Sequence, residues 1–282
     1  MSVKLVQNNY GKSRVRLMKV ARRGDWHELQ NINVKIAFEG DFDDIHVEGD
    51  NSNCLPTDTM KNTVYALAAQ TDEIEEIESF GLRLAQHFLS DNEQVSRVSI
   101  DIIEHKYTRI PFGGEPHPHS FTKSGGEKRT TSIRMTRDET SVESGLEDLT
   151  VIKTTKSGFA GFKKDKYTFL PEVDDRIFCT SVKANWRYVN PEAATEDLWN
   201  GVRRTILETF AAHDSLSVQH TLHAMGEAVL DKHPAVAEIS FSLPNIHCIP
   251  VDVARFGEAS NNAIFLPTEE PHGLIEGRLS RD

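Results

Sequence analysis

The sequence predicts an α+β fold in which one unit occurs twice, each unit being an antiparallel sheet with two helices on one face. Several segments alternate apolar and polar residues, which is typical of half-buried strands. Other segments carry apolar residues at helical spacing. Both patterns appear in the same order in the two halves of the 282-residue chain, which indicates an internal duplication.

The first half predicts the order strand, strand, helix, helix, strand, strand. The predicted strands are Ser13–Val20, Ile32–Glu39, Val98–Tyr107 and Thr130–Thr136, and the predicted helices are Thr57–Ala69 and Glu73–Ser90. A Gly/Pro loop is predicted at 112–118 and a hairpin at Gly125-Gly126. The polar stretch 136–145 is a candidate linker, so we expect domains at 1–137 and 138–282.

The second half repeats this order. Its predicted strands include Val182–Tyr188 and Ile239–Leu243, and its predicted helices include Val202–Phe210 and Val218–Val229. Val95, Val98, Ser99 and Ile100 match Val236, Ile239, Ser240 and Phe241 at an offset of 236 − 95 = 141 residues. Chance recurrence of a strand pattern after a helix is the alternative. Free sheet edges need a partner, so we expect a homo-oligomer that closes sheets from several chains into a barrel.

Composition excludes several classes of protein. The net charge is −11 and the pI is about 5.6, which argues against a general nucleic-acid binder. No apolar run approaches membrane-spanning length, and the first residues lack a signal core. The three cysteines are far apart in sequence, so neither a disulfide framework nor a zinc knuckle is expected. These features, and an ending that is not a peroxisomal tripeptide, predict a cytoplasmic protein.

A loop that runs into a helix start at Thr57 is the first candidate site. Pro56 fixes the backbone, and Thr57 or Asp58 can cap the helix that follows. Open amides and hydroxyls at a helix start suit an anion or a polarised carbonyl oxygen. An ordinary helix cap is the alternative.

Other candidates in the first half are Lys12 and a histidine pair. Lys12 is not part of a phosphate loop, because Val6 stands where the motif needs glycine, but a partly dry lysine can act as a base. A solvated lysine is the alternative. His117 and His119, with His105 as a third candidate, could ligate a metal, but orienting carboxylates are missing and a structural turn is favoured.

The second half offers groups suited to a flat polar ligand. Phe159 lies on a glycine-flexible segment and could stack on a ring, or pack in the core. Arg176 could clamp a carbonyl or delocalised anion, or pair with a neighbouring aspartate. Gln219 offers a donor and an acceptor at a helix start. Asn245 and His247 follow a strand and, if extension continues, share one side as a proton-handling pair.

Together these stretches resemble the urate oxidase (uricase) family along nearly the whole chain. The matching residues are Tyr10-Gly11-Lys12, Thr57 to Thr63, Pro116 to Phe121, Gly161-Phe162, Asp175-Arg176-Ile177, Ser217-Val218-Gln219 and Ser242 to His247. The missing peroxisomal tripeptide departs from the eukaryotic members and points to a bacterial protein.

The resemblance implies two tandem tunnelling-fold (T-fold) domains and a homotetramer around a β-barrel tunnel, with active sites shared between subunits. It implies cofactor-free oxidation of urate by O2 to 5-hydroxyisourate and H2O2, with no metal. By residue match, one chain supplies Lys12, Thr57 and Asp58, and its neighbour supplies Phe159, Arg176, Val218, Gln219, Asn245 and His247. Lys12, Thr57 and His247 would relay protons, and the others would hold urate or O2.

Two other functions are compatible with parts of the pattern. A T-fold pterin enzyme would anchor the guanidine-like edge of its ligand with a glutamate, whereas Arg176 and Gln219 suit a dione edge. A non-catalytic purine binder would need Phe159, Arg176 and Gln219 but not Lys12.

Overall fold

A computed structural model describes residues 3–258 and 262–281 of the chain. The protein divides into two compact units. The first comprises the chain up to Gly145 together with Arg187–Glu196, and the second comprises Leu146–Trp186 and the chain from Asp197 onward. No described helix is long and apolar enough to cross a membrane.

The first unit is an antiparallel sheet with helices between its second and third strands. Its elements are β1 Tyr10–Arg23, β2 Trp26–Gly40, α1 Asp43–Val47, α2 Thr57–Ala68, α3 Ile77–Asp91, β3 Val95–Phe112, β4 Glu115–Met135 and the beginning of β5 Thr140–Lys153. The strands follow chain order, with Ile36 opposite Ile100 and Ile100 opposite Ile133. Leu84 and Phe88 of α3 are buried with these residues, so the core lies between α3 and the sheet.

The second unit repeats this plan. Its elements after β5 are β6 Phe178–Tyr188, α4 Glu196–Ala212, α5 Val218–Lys232, β7 Val236–Pro250 and β8 Phe265–Ser280. Trp186, Met225, Val229 and Ile239 are buried, and α5 packs on β7 and β8. The predicted α+β class and the repeated order of strands and helices are therefore confirmed.

Several predicted boundaries are wrong. Helix α3 begins at Ile77 rather than Glu73. The predicted loop at 112–118 is reduced to Gly113-Gly114, which both take positive φ and let β3 return as β4. The predicted hairpin at Gly125-Gly126 is absent, because β4 runs through both glycines and absorbs them in a register shift against β3.

The predicted linker at 136–145 has the form of a turn followed by the start of a strand, and the predicted domain limits at 137 and 138 stay a prediction. The Thr136 amide donates to the Glu139 carbonyl at 2.8 Å, which makes a tight turn. Strand β5 then begins at Thr140. Polar residues dominate this stretch because a turn and a strand edge, like a linker, keep side chains in water.

Candidate functional site

The start of α2 carries two of the predicted site residues. Thr57 is the first helical residue and Pro56 occupies the cap position, so the expectation that Thr57 or Asp58 caps the helix is wrong. No side chain in the described part of the chain caps this end. The Asp58 carboxylate instead accepts hydrogen bonds from Lys61 at 2.5 Å and Asn62 at 2.9 Å. The first-turn amides of α2 therefore remain open to a ligand.

Lys12 lies near this helix start. Strand β1, which carries Lys12, packs against α2. The ammonium of Lys61 lowers the pKa of Asp58 most, Asn62 adds to this, and the charge of Lys12 contributes further. Lys12 is half-buried in β1, opposite Ile36. A bulge follows between Lys12 and Val15, with Arg14 at a φ of 58°. This bulge ends the regular ladder directly after Lys12.

Gly11 fixes the backbone beside Lys12. A Cβ added at Gly11 would lie 1.9 Å from the carbonyl oxygen of Ile36, so only glycine permits this approach of β1 to β2. Tyr10 then ties β1 to the segment before α2, because its hydroxyl accepts a hydrogen bond from the Leu55 amide at 3.1 Å. Burial, with the nearby Cys54, raises the pKa of Tyr10 to about 12, so Tyr10 stays neutral. Sequence analysis missed this anchoring role of Tyr10.

In the second unit, three separate segments are joined by backbone hydrogen bonds. The Gly158 amide donates to the Ser215 carbonyl at 2.8 Å, and the Arg176 amide donates to the Ser157 carbonyl at 2.6 Å. Phe159 exchanges two backbone hydrogen bonds with Val173. A Cβ at Gly158 would lie 2.9 Å from the Asp174 carbonyl oxygen. These bonds hold Phe159, Arg176 and the approach to α5 together, although they are far apart in sequence.

Phe159 and Arg176 line one cavity of about 540 Å³. Other lining residues include Leu170, Ile177, Cys248 and Phe265. The Phe159 ring stacks on Phe162 with centroids 4.9 Å apart, and the Arg176 guanidinium carbon lies 5.4 Å from the Phe159 centroid. The cavity thus combines an aromatic face with a cation.

Arg176 does not form the aspartate ion pair that was its alternative. The Asp175 carboxylate accepts from the Thr155 hydroxyl at 2.9 Å and from the Ser157 amide at 3.4 Å. The Nε of Arg176 is buried without a hydrogen-bond partner among the described residues. Burial lowers the pKa of Arg176. A half-buried arginine whose buried Nε donor is unused favours an anionic or carbonyl-rich ligand.

Val218 and Gln219 open α5, as predicted. The Ser217 hydroxyl caps this helix by accepting from the His220 amide at 3.1 Å. Val218 is buried, whereas Gln219 is exposed. Neither residue lines the cavity of Phe159 and Arg176. The two sets are linked instead through the backbone bond from Gly158 to Ser215.

Asn245 and His247 lie in β7 and are half-buried. They pair with Gly273 and Thr268 of β8, and a register shift lies between them. Between these two pairs β7 advances by two residues and β8 by 273 − 268 = 5, so the irregularity lies in β8, and the common side expected for the two side chains stays a prediction. Neither residue lines the cavity, which β7 reaches through Cys248 and Pro250.

The histidine pair has structural partners. The rings of His117 and His119 meet edge to face at 4.5 Å. Arg109 donates to the carbonyls of His117 and Pro118 and stacks on Trp26 at 3.8 Å. His105 does not join them and is hydrogen-bonded to Arg16 and Asn33. Within residues 3–258 and 262–281, no three His, Cys, Asp or Glu side chains are arranged to hold a metal.

The predicted site residues therefore form two sets. Lys12, Thr57 and Asp58 belong to the first unit, and the second set belongs to the second unit. The second set consists of Phe159, Arg176, Val218, Gln219, Asn245 and His247.

Comparisons with known proteins give one consistent result. A family model described as Uricase matches residues 8–134 and 142–276. The chain is 41% identical to uricase of Arthrobacter globiformis over 99% of this chain and 91% of the relative, and 37% identical to uricase of Dictyostelium discoideum over 98% and 97%. The crystal structure of the Arthrobacter uricase superposes with a TM-score of 0.95 at 40% identity, covering 100% of this chain and 96% of the other. A uricase structure from Bacillus fastidious superposes with a TM-score of 0.85 at 25% identity, covering 97% and 93%.

Proposed function

The chain belongs to the uricase family, and from this premise we propose that it oxidises urate with O2 and water to 5-hydroxyisourate and H2O2. The observation that carries the proposal is the cavity in which the ring of Phe159 lies beside the guanidinium of Arg176, whose buried Nε has no partner among the described residues. A flat, oxygen-rich anion such as urate matches both groups.

In this proposal, urate stacks on Phe159. The planar fork of Arg176 and the amide of Gln219 clamp the pyrimidine-dione edge, because that edge presents carbonyl oxygens and ring N–H groups. The open backbone amides at the helix starts of Asp58 and Val218 complete the ring of hydrogen bonds. These contacts fix the ring plane and leave one face open to oxygen.

Proton transfer is assigned to Lys12, Thr57 and His247. Deprotonated urate is electron-rich enough to pass an electron to O2, so no metal or organic cofactor is invoked. Thr57 and Asn245 hold O2, and later water, above the ring. The protein then removes protons, orients the reactants and excludes bulk water.

We further propose a homotetramer with shared sites. One chain supplies the first-unit set with Lys12, and its neighbour supplies the second-unit set with Arg176. Large exposed apolar side chains in the segment before Leu170, such as Phe169 at 88% and Tyr167 at 73% exposure, are typical of a surface that a partner covers.

The test is urate turnover by chelator-treated protein, followed by ultraviolet absorbance together with peroxide release. We expect Lys12→Met to lower kcat by about 10²–10⁴-fold while a non-reacting urate analogue still binds, because one proton-transfer group is lost. Lys4→Met, at an exposed position, is the matched control and should keep full activity.

Each alternative makes a different prediction for this test. A non-catalytic purine binder would bind urate without consuming it, and a pterin enzyme would need added zinc and ignore urate. Unchanged urate in aerated buffer would refute the proposal.

A further inference from the structure

Two of the three cysteines lie in neighbouring strands of the second unit. Cys179 is in β6 and Cys248 is in β7, which are adjacent in the sheet, and both are free thiols. Adjacent strands run about 4.8 Å apart, which brings side chains on a common face within reach of each other.

The two cysteines share the face of the sheet away from the helices. In β6, residues that alternate onto the same face as Cys179, such as Lys183 and Asn185, are less buried, whereas the residues between them lie in the core. In β7 the residues in step with Cys248 include Ser240 and Ser242, which line one surface groove with Lys183 and Asn185. The Ser240 hydroxyl donates to the Asn185 carbonyl at 3.3 Å, which connects the two strands on this face.

The thiols also influence each other. Burial raises the pKa of Cys179, and the nearby Cys248 thiol raises it further. Cys248 is half-buried and lines the cavity that Phe159 and Arg176 also line. A thiol open to a cavity that holds a cation is placed to react with an oxidant there, and a second thiol on the adjacent strand can resolve the product.

We propose that Cys248 and Cys179 form a peroxide-sensitive dithiol that closes to a disulfide at the wall of this cavity. The inference rests on the proposed function, since the H2O2 released by urate oxidation is the oxidant.

The chemistry balances with one H2O2 per disulfide. The Cys248 thiolate attacks one peroxide oxygen, the O–O bond breaks, and the departing hydroxide takes up the thiol proton to leave as water. The Cys179 sulfur then attacks the sulfenic acid, the S–S bond forms, the S–O bond breaks, and a second water leaves. Two thiols are oxidised and two peroxide oxygens are reduced.

The first experiment adds H2O2 to the full-length protein without urate. Alkylation, digestion without reductant and mass spectrometry then locate the free thiols. We expect one disulfide-linked peptide that joins Cys179 to Cys248, while Cys54 of the first unit stays alkylated. Cys179→Ser should instead trap a sulfenic acid on Cys248, detectable with a dimedone probe. If Cys179 and Cys248 both stay alkylated at a peroxide excess that oxidises Cys54, the proposal is overturned.

The second experiment replaces added H2O2 with urate turnover, with and without catalase. We expect the same disulfide to accumulate with turnover, and catalase to reduce it at least severalfold. A disulfide that forms with added H2O2 in a protein that leaves urate intact would refute the proposed function and support the dithiol. Turnover and peroxide release without any Cys179–Cys248 disulfide would support the proposed function and refute the dithiol.

Discussion

The starts of α3 and α5 occupy equivalent positions in the two units but have opposite surroundings. Glu78 and Gln219 are each the second residue of a 15-residue helix, and 219 − 78 = 141, the offset of the repeat. Glu78 is buried and bound to Arg129 at 2.6 Å and Ser144 at 2.5 Å. Gln219 is exposed. The comparison teaches that two copies of a duplicated helix start can diverge: Glu78 is paired with the protein's own Arg129, while Gln219 is exposed, as its proposed role in the clamp requires.

Removing the carboxylate of Glu78, which pairs with the buried Arg129, should have the largest effect on stability. We expect Glu78→Ala to lower the free energy of unfolding by about 3–5 kcal/mol, because Arg129 would remain buried without its carboxylate. Denaturant unfolding measures this. Glu78→Ala combined with Arg129→Met should recover part of the loss.

The matched control is the exposed pair of Glu208 and Lys232, whose nitrogen and oxygen lie 3.6 Å apart. Glu208→Ala should cost only about 0–1 kcal/mol, because solvent screens this pair. Equal losses for Glu78→Ala and Glu208→Ala would mean that the start of α3 is not a specially filled site.

The second-largest effect is expected when Gln219 at the start of α5 is replaced by glutamate, the residue found at the equivalent position of α3. We expect Gln219→Glu to lower kcat/KM for urate by about 10²–10³-fold, because a carboxylate there loses the amide donor and repels the dione oxygens. Unfolding should be unchanged, since Gln219 is exposed. A variant that keeps wild-type kcat/KM would remove Gln219 from the clamp. Steady-state kinetics on folded protein decides between these outcomes.

The smallest expected effect is a difference in pH response. Burial lowers the pKa of His213 most, and the ring of His220 at 4.3 Å and the ammonium of Lys153 lower it further, while Asp214 opposes them. The folded state thus favours neutral His213. Its contribution to stability is complete above about pH 6.5, the usual histidine pKa, and is lost as pH falls through the folded value.

Glu78 should respond in the opposite direction. Burial raises its pKa, despite the opposing charge of Arg129, so its contribution grows as pH falls and is lost as pH rises. Between about pH 7.5 and about pH 4.5, the usual glutamate pKa, His213→Asn should therefore lose less stability than wild type, and Glu78→Gln should lose more. Denaturant unfolding at both values tests this, and identical losses in the three proteins would contradict it.

Local patterns predicted most of the fold. The alternation from Ile32 to Phe38 predicts β2, and the spacing of Met60, Val64 and Leu67 predicts α2. Both predictions work because an element that buries one face repeats apolar residues at the period of its side-chain directions. Gly125 was read as a hairpin because a glycine pair marks a turn and a bulge equally well. Which one forms depends on the register with β3, which no local pattern contains.

The sequence identifies which residues are candidates for the site, but it does not predict how they are arranged in space. Phe159 and Arg176 were named from their chemistry and from a family resemblance. Their meeting at one cavity depends on backbone bonds between segments far apart in sequence, such as Ser157 to Arg176. The sequence predicts a cap from Thr57 or Asp58 at the start of α2. Pro56 occupies the cap position instead and has no side-chain oxygen to offer, so the first amides of this helix lack a side-chain cap.

A glycine immediately precedes a proposed site residue in each unit, Gly11 before Lys12 and Gly158 before Phe159. Both glycines face a carbonyl oxygen at a distance that no larger residue tolerates. Mutagenesis libraries meant to widen substrate range should therefore keep these two positions constant and diversify the cavity wall at Leu170 or Phe265. Changes of side chain there leave the backbone path undisturbed, whereas a single methyl group at either glycine would move Lys12 or the Phe159 ring itself.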